Sequence, residues 1–316
     1  MNFYYEFIIQ GDNMKVGLVF SGGGGKGAYE LGVWKALREL NIEKYVQAVS
    51  GASIGAINAA LFAQNDFEEA LNMWREVTLQ KMVPISNGEL LKKGLTLAIG
   101  SKNMNIVKKY MANSIQHGDV PRDGAEEIIE KYINVDKIKK NNINLFVSCT
   151  EMPDFTPTYF RVNMYEEPIV KSILMATACL PMIYESEEIL GKFYLDGGLV
   201  DNTPIKPLYD YGCDIIIAVL LSKEIKIERE KFPNTKIIEI IPSEIESRVL
   251  EGLLNLDNEA KNRRIENGYN DTKNLLEPIF EIAREKFNEE QQQIKKIEEE
   301  EYNKLSWWRK IKKKIK

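Results

Sequence analysis

The sequence predicts an α/β fold built on a mainly parallel sheet, and three observations point there. From Met14 onward, short β-branched runs alternate with longer segments of helical spacing. The first such run, Lys15–Phe20, opens directly into a glycine cluster and then a helical pattern, which is strand–turn–helix order. Apolar residues make up 44% of the 316 residues and aromatics 9%, enough for a full core. That composition excludes disordered, collagen-like and low-complexity classes.

The elements follow in order. Lys15–Phe20 reads as a buried strand and Ser21–Gly27 as a tight turn. Ala28–Leu40 carries Leu31, Val33, Trp34 and Leu37 at close to helical spacing. Tyr45–Val49 is a second strand, and Ser53–Gln64 a small-residue helix suited to close packing, with Asp66–Met82 continuing helical. Pro84–Gly124, which holds Leu90–Ile99, a basic segment around Lys108 and the loop His117–Gly124, reads as a helical insert or lid. Asn144–Thr150 and Thr158–Val162 are strands and Pro168–Cys179 a helix. Lys192–Leu195, Ile215–Leu220 and Lys236–Ile241 are further strands, with helix expected from Ser243 to the end. Residues 1–13 have no place in this alternation and read equally as an over-extended start and as an N-terminal arm. The expected organisation is an extension over 1–14, one domain over 15–275, and a charged helical arm over 276–316.

Acids number 47 and bases 42, for a net charge of −5 and a pI near 5.4. With no basic excess to meet phosphates, the chain as a whole is not expected to bind nucleic acid. The longest apolar runs are strand-sized, so no membrane-spanning helix is expected. The opening MNFYYEFIIQ lacks the basic start and long apolar stretch of a secretory signal. Cys149, Cys179 and Cys213 are too few and too scattered for a disulfide framework. The expected address is therefore reducing and cytoplasmic, with each cysteine a buried packing residue.

Gly22-Gly23-Gly24-Gly25-Lys26-Gly27 stands between a strand and a helix, where backbone N–H groups converge and only glycine lets the chain crowd in. Besides a plain turn, three readings compete. As a dinucleotide fingerprint, Gly22-x-Gly24-x-x-Gly27 requires an acid ending the second strand, but Val49-Ser50-Gly51 stands there. A P-loop requires Ser or Thr after Lys26, and Gly27 follows it. The third reading is an oxyanion hole, in which these amides stabilise an acyl-transfer intermediate.

Gly51-Ala52-Ser53-Ile54-Gly55 follows the second strand and opens a helix. In that context G-x-S-x-G is a nucleophile elbow, so sharp that Gly51 and Gly55 are needed and Ser53 is thrust into the open. The simpler reading is that Ser53 caps the helix. A nucleophilic serine needs a base. The single histidine, His117, lies in a polar loop and does not follow the Ser–Asp–His chain order of α/β-hydrolases. Asp196, at the end of a short strand and followed by Gly197 and Gly198, is the better candidate, with Asp201 a weaker rival. Asp201-Asn202-Thr203-Pro204 reads as a second turn that fastens this loop.

Together, SGGGGKGAYELGV (Ser21–Val33), SGASIGAINA (Ser50–Ala59) and DGGLVDNTPI (Asp196–Ile205) resemble the patatin-like phospholipase family. ATACLPMIY (Ala176–Tyr184) and a glycine-tyrosine turn, ENGYNDT (Glu266–Thr272), support the likeness, which covers about residues 15–275. The resemblance implies a three-layer α/β fold and a Ser–Asp dyad without histidine. Ser53 would be nucleophile and Asp196 base, with Gly23, Gly24 and Gly25 lining the oxyanion hole and Lys26 at the family's basic position. The implied reaction is hydrolysis of lipid carboxylic esters through an acyl-enzyme, with no cofactor. Ile54 stands where the family often has a small residue, and would narrow the entrance. A lysophospholipase, thioesterase or general carboxylesterase would use the same dyad, and a non-catalytic lipid-binding protein would keep the same fold.

The last fifteen residues hold seven Lys/Arg and no acid, and removing those seven charges from −5 leaves −12 on residues 1–301. In LSWWRKIKKKIK (Leu305–Lys316), Trp308, Ile311 and Ile315 fall three and four apart, with Trp307 beside them. Such a segment can lie in an anionic membrane interface with its indoles at headgroup level; the plainer reading is a solvated tail or a helix packed on the domain. The expected partners are thus a lipid ester and the inner face of a membrane, with oligomeric state left open.

Overall fold

The computed structural model describes residues 14–86, 88–89, 117–244, 252, 254–282 and 302. Residues 1–13, most of the 84–124 insert, and the tail with Trp307 and Trp308 lie outside the described residues. The chain forms two compact units, residues 14–273 and residues 1–13 with 274–316. In the second unit, 274–282 are helical.

The larger unit is a mixed, mostly parallel eight-stranded sheet among the described residues. The strands are β1 (Val16–Phe20), β2 (Val46–Ala52), β3 (Asn144–Met152), β4 (Thr156–Arg161), β5 (Glu187–Ile189), β6 (Lys192–Asp196), β7 (Ile215–Val219) and β8 (Lys236–Ile240). The parallel run is β3, β2, β1, β7, β8, while β4 and β6 pair antiparallel with β3, and β5 pairs antiparallel with β6. β1 is buried at every position, VGLVF, as a central parallel strand covered on both faces must be. The helices are α1 (Ala28–Glu39), α2 (Ile54–Ala63), α3 (Phe67–Glu76), α4 (Leu79–Met82), α5 (Asp123–Tyr132), α6 (Val135–Lys140), α7 (Glu167–Ala178) and α8 (Lys206–Asp210). On one side of the sheet Phe20, Trp34, Phe62 and Phe67 form a chain of ring contacts. On the other, Val19 and Ala48 pack with Ile205 and Leu208. Helices thus cover both faces, the three-layer α/β fold expected.

The pairing of β3 positions the site. A strand has two hydrogen-bonding edges. β4 occupies one, facing Phe146 to Glu151. β2 faces Asn144 to Ser148 and β6 faces Cys149 to Met152, so these two strands share the other edge in succession. Ala52 stands opposite Ser148 and Asp196 opposite Cys149. The ends of β2 and β6 therefore meet head to end, and Ser53 follows the first while Asp196 closes the second.

Three local expectations are corrected. The helix expected over Asp66–Met82 breaks at Val77–Thr78, where Thr78 Oγ1 accepts the Lys81 N–H and caps a new turn. The region past Ser243 is interrupted at 255–257 before helix resumes at 258. ENGYNDT is not a turn but lies within that helix: Gly268 crosses α1, and a Cβ there would collide with the Tyr29 carbonyl, as one at Gly32 would with that of Ile265. Backbone-to-backbone contact between helices, not turn chemistry, is what requires glycine at 268.

Candidate active site

Ser53 sits between β2 and α2 at φ 53°, ψ −133°, outside the regions a non-glycine residue ordinarily occupies. Only surrounding structure holds such a residue in place. Much of that structure is close backbone contact. A Cβ on Gly51 would collide with the Gly55 carbonyl, and one on Gly55 with the carbonyls of Phe20 and Ser21. The Ser53 N–H donates to Thr177 Oγ1 at 2.8 Å, and the same hydroxyl donates to the Ser148 carbonyl at 2.7 Å. Ser53 does not cap α2 with its side chain, so the simpler helix-cap reading is set aside.

Asp196 is 4% exposed. Its N–H donates to the Cys179 carbonyl at 3.0 Å and its carbonyl accepts from Thr150 Oγ1 at 2.8 Å. Oδ1 accepts the Gly198 N–H at 2.7 Å, while Oδ2 is buried with no aligned hydrogen bond. Burial pushes the carboxyl up to about 6, and the Ser53 hydroxyl beside it and the Gly198 amide offset part of that rise. Gly197 passes so near β3 that a Cβ would collide with the Ser148 carbonyl.

Asp201 is engaged elsewhere: Oδ2 accepts from Tyr159 at 2.6 Å and Oδ1 from the Thr203 N–H at 3.3 Å. The turn that contains it fastens the loop as expected. Ser148 Oγ donates to the Asp201 carbonyl at 3.1 Å and Ser50 Oγ to the Pro204 carbonyl at 2.6 Å. His117 is exposed and 3.7 Å from Glu185. The three cysteines are free and buried.

The glycine turn is a 3₁₀ segment, Gly24–Gly27, entered through Gly24 at φ 53°. Its six residues do different jobs. The Gly22 N–H is taken by the Asn202 carbonyl at 3.0 Å, and Asn202 Nδ2 returns a bond to the Gly22 carbonyl at 2.8 Å. The Lys26 N–H closes the turn onto the Gly23 carbonyl at 3.1 Å. Among the described residues, this leaves the N–H groups of Gly23, Gly24 and Gly25 without acceptors. Gly27 packs under Ile54, whose Cγ2 methyl and Cγ1 methylene lie where a Cβ would project. Ile54 therefore fills the space between elbow and turn.

Sequence reasoning missed Thr177, which holds the Ser53 amide, and Arg264, buried and donating to the Gly25 and Asn255 carbonyls at 2.9 and 2.6 Å. Thr177 lies in ATACLPMIY, where no local pattern marks a threonine for this role. No sequence signal marks Arg264, because it arrives from the helix starting at 258.

This sheet, with helices on both faces and a strained serine at the end of β2, defines a three-layer α/β protein. The Patatin-like phospholipase family model matches residues 18–209, and the chain belongs to that family. Lysophospholipase NTE1 of Chaetomium globosum is 26% identical over 219 residues, covering 65% of this chain and 12% of that protein. Lysophospholipase nte1 of Aspergillus terreus is 27% identical over 208 residues, with the same coverage. The chain thus matches about an eighth of the length of these relatives. VipD from Legionella pneumophila aligns with TM-score 0.45 at 16% identity, covering 84% of this chain and 67% of that one.

Proposed function

We propose that this chain is a serine lipid acyl hydrolase that cleaves carboxylic esters of phospholipids or related lipids through a Ser53–Asp196 dyad. The observation that carries the reading is the pairing of a strained, elbow-borne Ser53 with a buried carboxylate that has one oxygen unpartnered. A carboxyl lifted to about 6 is a far better base near neutral pH than an ordinary aspartate.

In the first step Ser53 Oγ attacks the ester carbonyl as its proton passes to Asp196 Oδ2. The C=O electrons move onto the oxygen, which the Gly23–Gly25 N–H groups stabilise. Collapse breaks the bond to the leaving alcohol, which takes the proton from Asp196, and leaves an acyl-Ser53 ester. Water then attacks the acyl carbonyl as Asp196 takes its proton, the bond to Ser53 Oγ breaks as that oxygen takes the proton back, and the free acid departs. Because relatives bear the name lysophospholipase, single-chain phospholipids are the first substrates to try.

The basic, tryptophan-bearing tail suggests that the enzyme works from the cytoplasm at the inner face of an anionic membrane, which its composition supports. The deciding experiment is p-nitrophenyl ester and lysophospholipid hydrolysis by wild type, Ser53→Ala, Asp196→Asn and His117→Ala. The dyad requires the first two variants to fall to background and the third to keep its rate. Loss of activity in His117→Ala means a triad, and an inactive wild type that still binds phospholipid vesicles means a lipid-binding protein.

A further inference from the structure

We propose that Glu30 is a positioning residue for this reaction: with Asn58 it locks the glycine turn against the elbow helix and so sets the Gly23–Gly25 amides relative to Ser53. The inference rests on the hydrolase reading above, in which Glu30 takes no chemical step.

Glu30 lies in the first turn of α1, fully buried directly beyond the glycine turn. Its Oε2 accepts from Asn58 Nδ2 at 2.7 Å. The same Nδ2 donates to the Gly27 carbonyl at 3.0 Å, and Asn58 Oδ1 accepts from Trp74 Nε1 at 2.9 Å. Both protons of the Asn58 amide and its oxygen are thus committed, which leaves its rotamer no freedom. Asn58 belongs to α2, the helix that Ser53 opens, and Gly27 is the last residue of the turn. The Ser21 N–H, at the other end of the turn, also faces the Glu30 carboxyl. Glu30 at the Ser21 end and Asn58 at the Gly27 end, bonded to each other, therefore tie both ends of the turn to the helix that carries Ser53.

Packing alone does not account for an acid here. Glu30 Oε1 is buried with no aligned partner, and an orphaned polar atom costs stability that an apolar side chain of the same size would not. Burial also holds the carboxyl well above the usual carboxylate range, against smaller opposing pulls from Asn58 and the Ser21 amide. Glutamine in this place keeps the length of the side chain and an acceptor for Asn58.

The test compares Glu30→Gln with Glu30→Met, which fills similar volume without the polar tie. The measurements are kcat, KM, melting temperature, and hydrogen exchange across Gly22–Gly27. Misplacement of the amides by a fraction of an ångström lowers kcat by about 10- to 100-fold in Glu30→Met, with KM within about twofold. Its melting temperature falls, because the buried Asn58 and Ser21 donors lose their acceptor, so kcat is read well below the melting transition, and its turn amides exchange faster. Glu30→Gln keeps kcat within about threefold. Wild-type kcat in Glu30→Met, a fall in kcat that merely tracks lost stability, or an equal fall in Glu30→Gln each overturns the proposal. An absence of Ser53-dependent hydrolysis in wild type defeats the hydrolase reading separately. Hydrogen exchange then still decides, since unchanged protection of the turn in Glu30→Met overturns the tie itself.

Discussion

The Ser53 N–H donates to Thr177 Oγ1 at 2.8 Å, and that bond joins the elbow to the last turn of α7. Two residues later the Cys179 carbonyl accepts the Asp196 N–H. One short segment thus holds the backbone of both members of the proposed dyad, and their relative placement depends on where α7 ends.

Thr177→Val therefore removes the acceptor from a buried amide in a strained residue. The expected loss of stability is about 1–3 kcal/mol. A fall in kcat of about tenfold or more should accompany it, since a small misplacement is costly in rate. Thr177→Ser keeps the oxygen and should restore both. Chemical denaturation alongside steady-state kinetics checks the pair.

Asp196 must be ionised to act as base, so kcat/KM should rise with pH through about 6 and level off above it. The stability effect has the opposite sense. Between the ordinary aspartate value of 3.8 and about 6, the folded protein binds more protons at this site than the unfolded chain, so stability falls as pH rises through that window. Above it the penalty is complete, at about 3 kcal/mol. Asp196→Asn should abolish activity yet melt higher than wild type at pH 7.5, with the gap closing below about pH 4. Melting curves at both pH values check this.

Gly55→Ala forces a Cβ into the carbonyls of Phe20 and Ser21, which are backbone and cannot swing aside. Overpacking of this kind costs about 1–3 kcal/mol or more, and here it also disturbs the elbow. Reduced soluble yield and a lower denaturation midpoint are expected, together with lost hydrolysis.

Asp201 is a fastener. Tyr159→Phe leaves its Oδ2 short of a partner, with an expected cost of about 1–3 kcal/mol. Asp201→Asn should retain Ser53-dependent hydrolysis, in contrast to Asp196→Asn. Equal loss in both would make Asp201 part of the chemistry.

Much of the fold is legible in the residues. The buried run VGLVF, the small-residue helix after Ser53 and the Ile215–Val219 strand all follow from local pattern. What was misread is where tertiary contact overrides local chemistry. Glu266–Thr272 has turn composition, yet it is helix because Gly268 meets α1. Strand β5, Glu187–Ile189, has no apolar run, and it exists because β6 supplies its partner. The elbow glycines were legible from the five-residue pattern Gly51–Gly55, although only the clash at Gly51 is local and the one at Gly55 is with the Phe20 and Ser21 carbonyls. Arg264 was not, since its bond to the Gly25 carbonyl spans 239 positions.

The sequence by itself determined that Ser53 opens a helix after a strand, that Asp196 closes another strand, and that a run of glycines follows β1. These are local facts, set by backbone sterics and side-chain periodicity. Tertiary structure alone decided that the serine and the acid meet. A strand has two edges, β4 fills one edge of β3, and β2 and β6 divide the other end to end. The same packing took Asp196 out of water, and burial is what raised its carboxyl above the ordinary aspartate range.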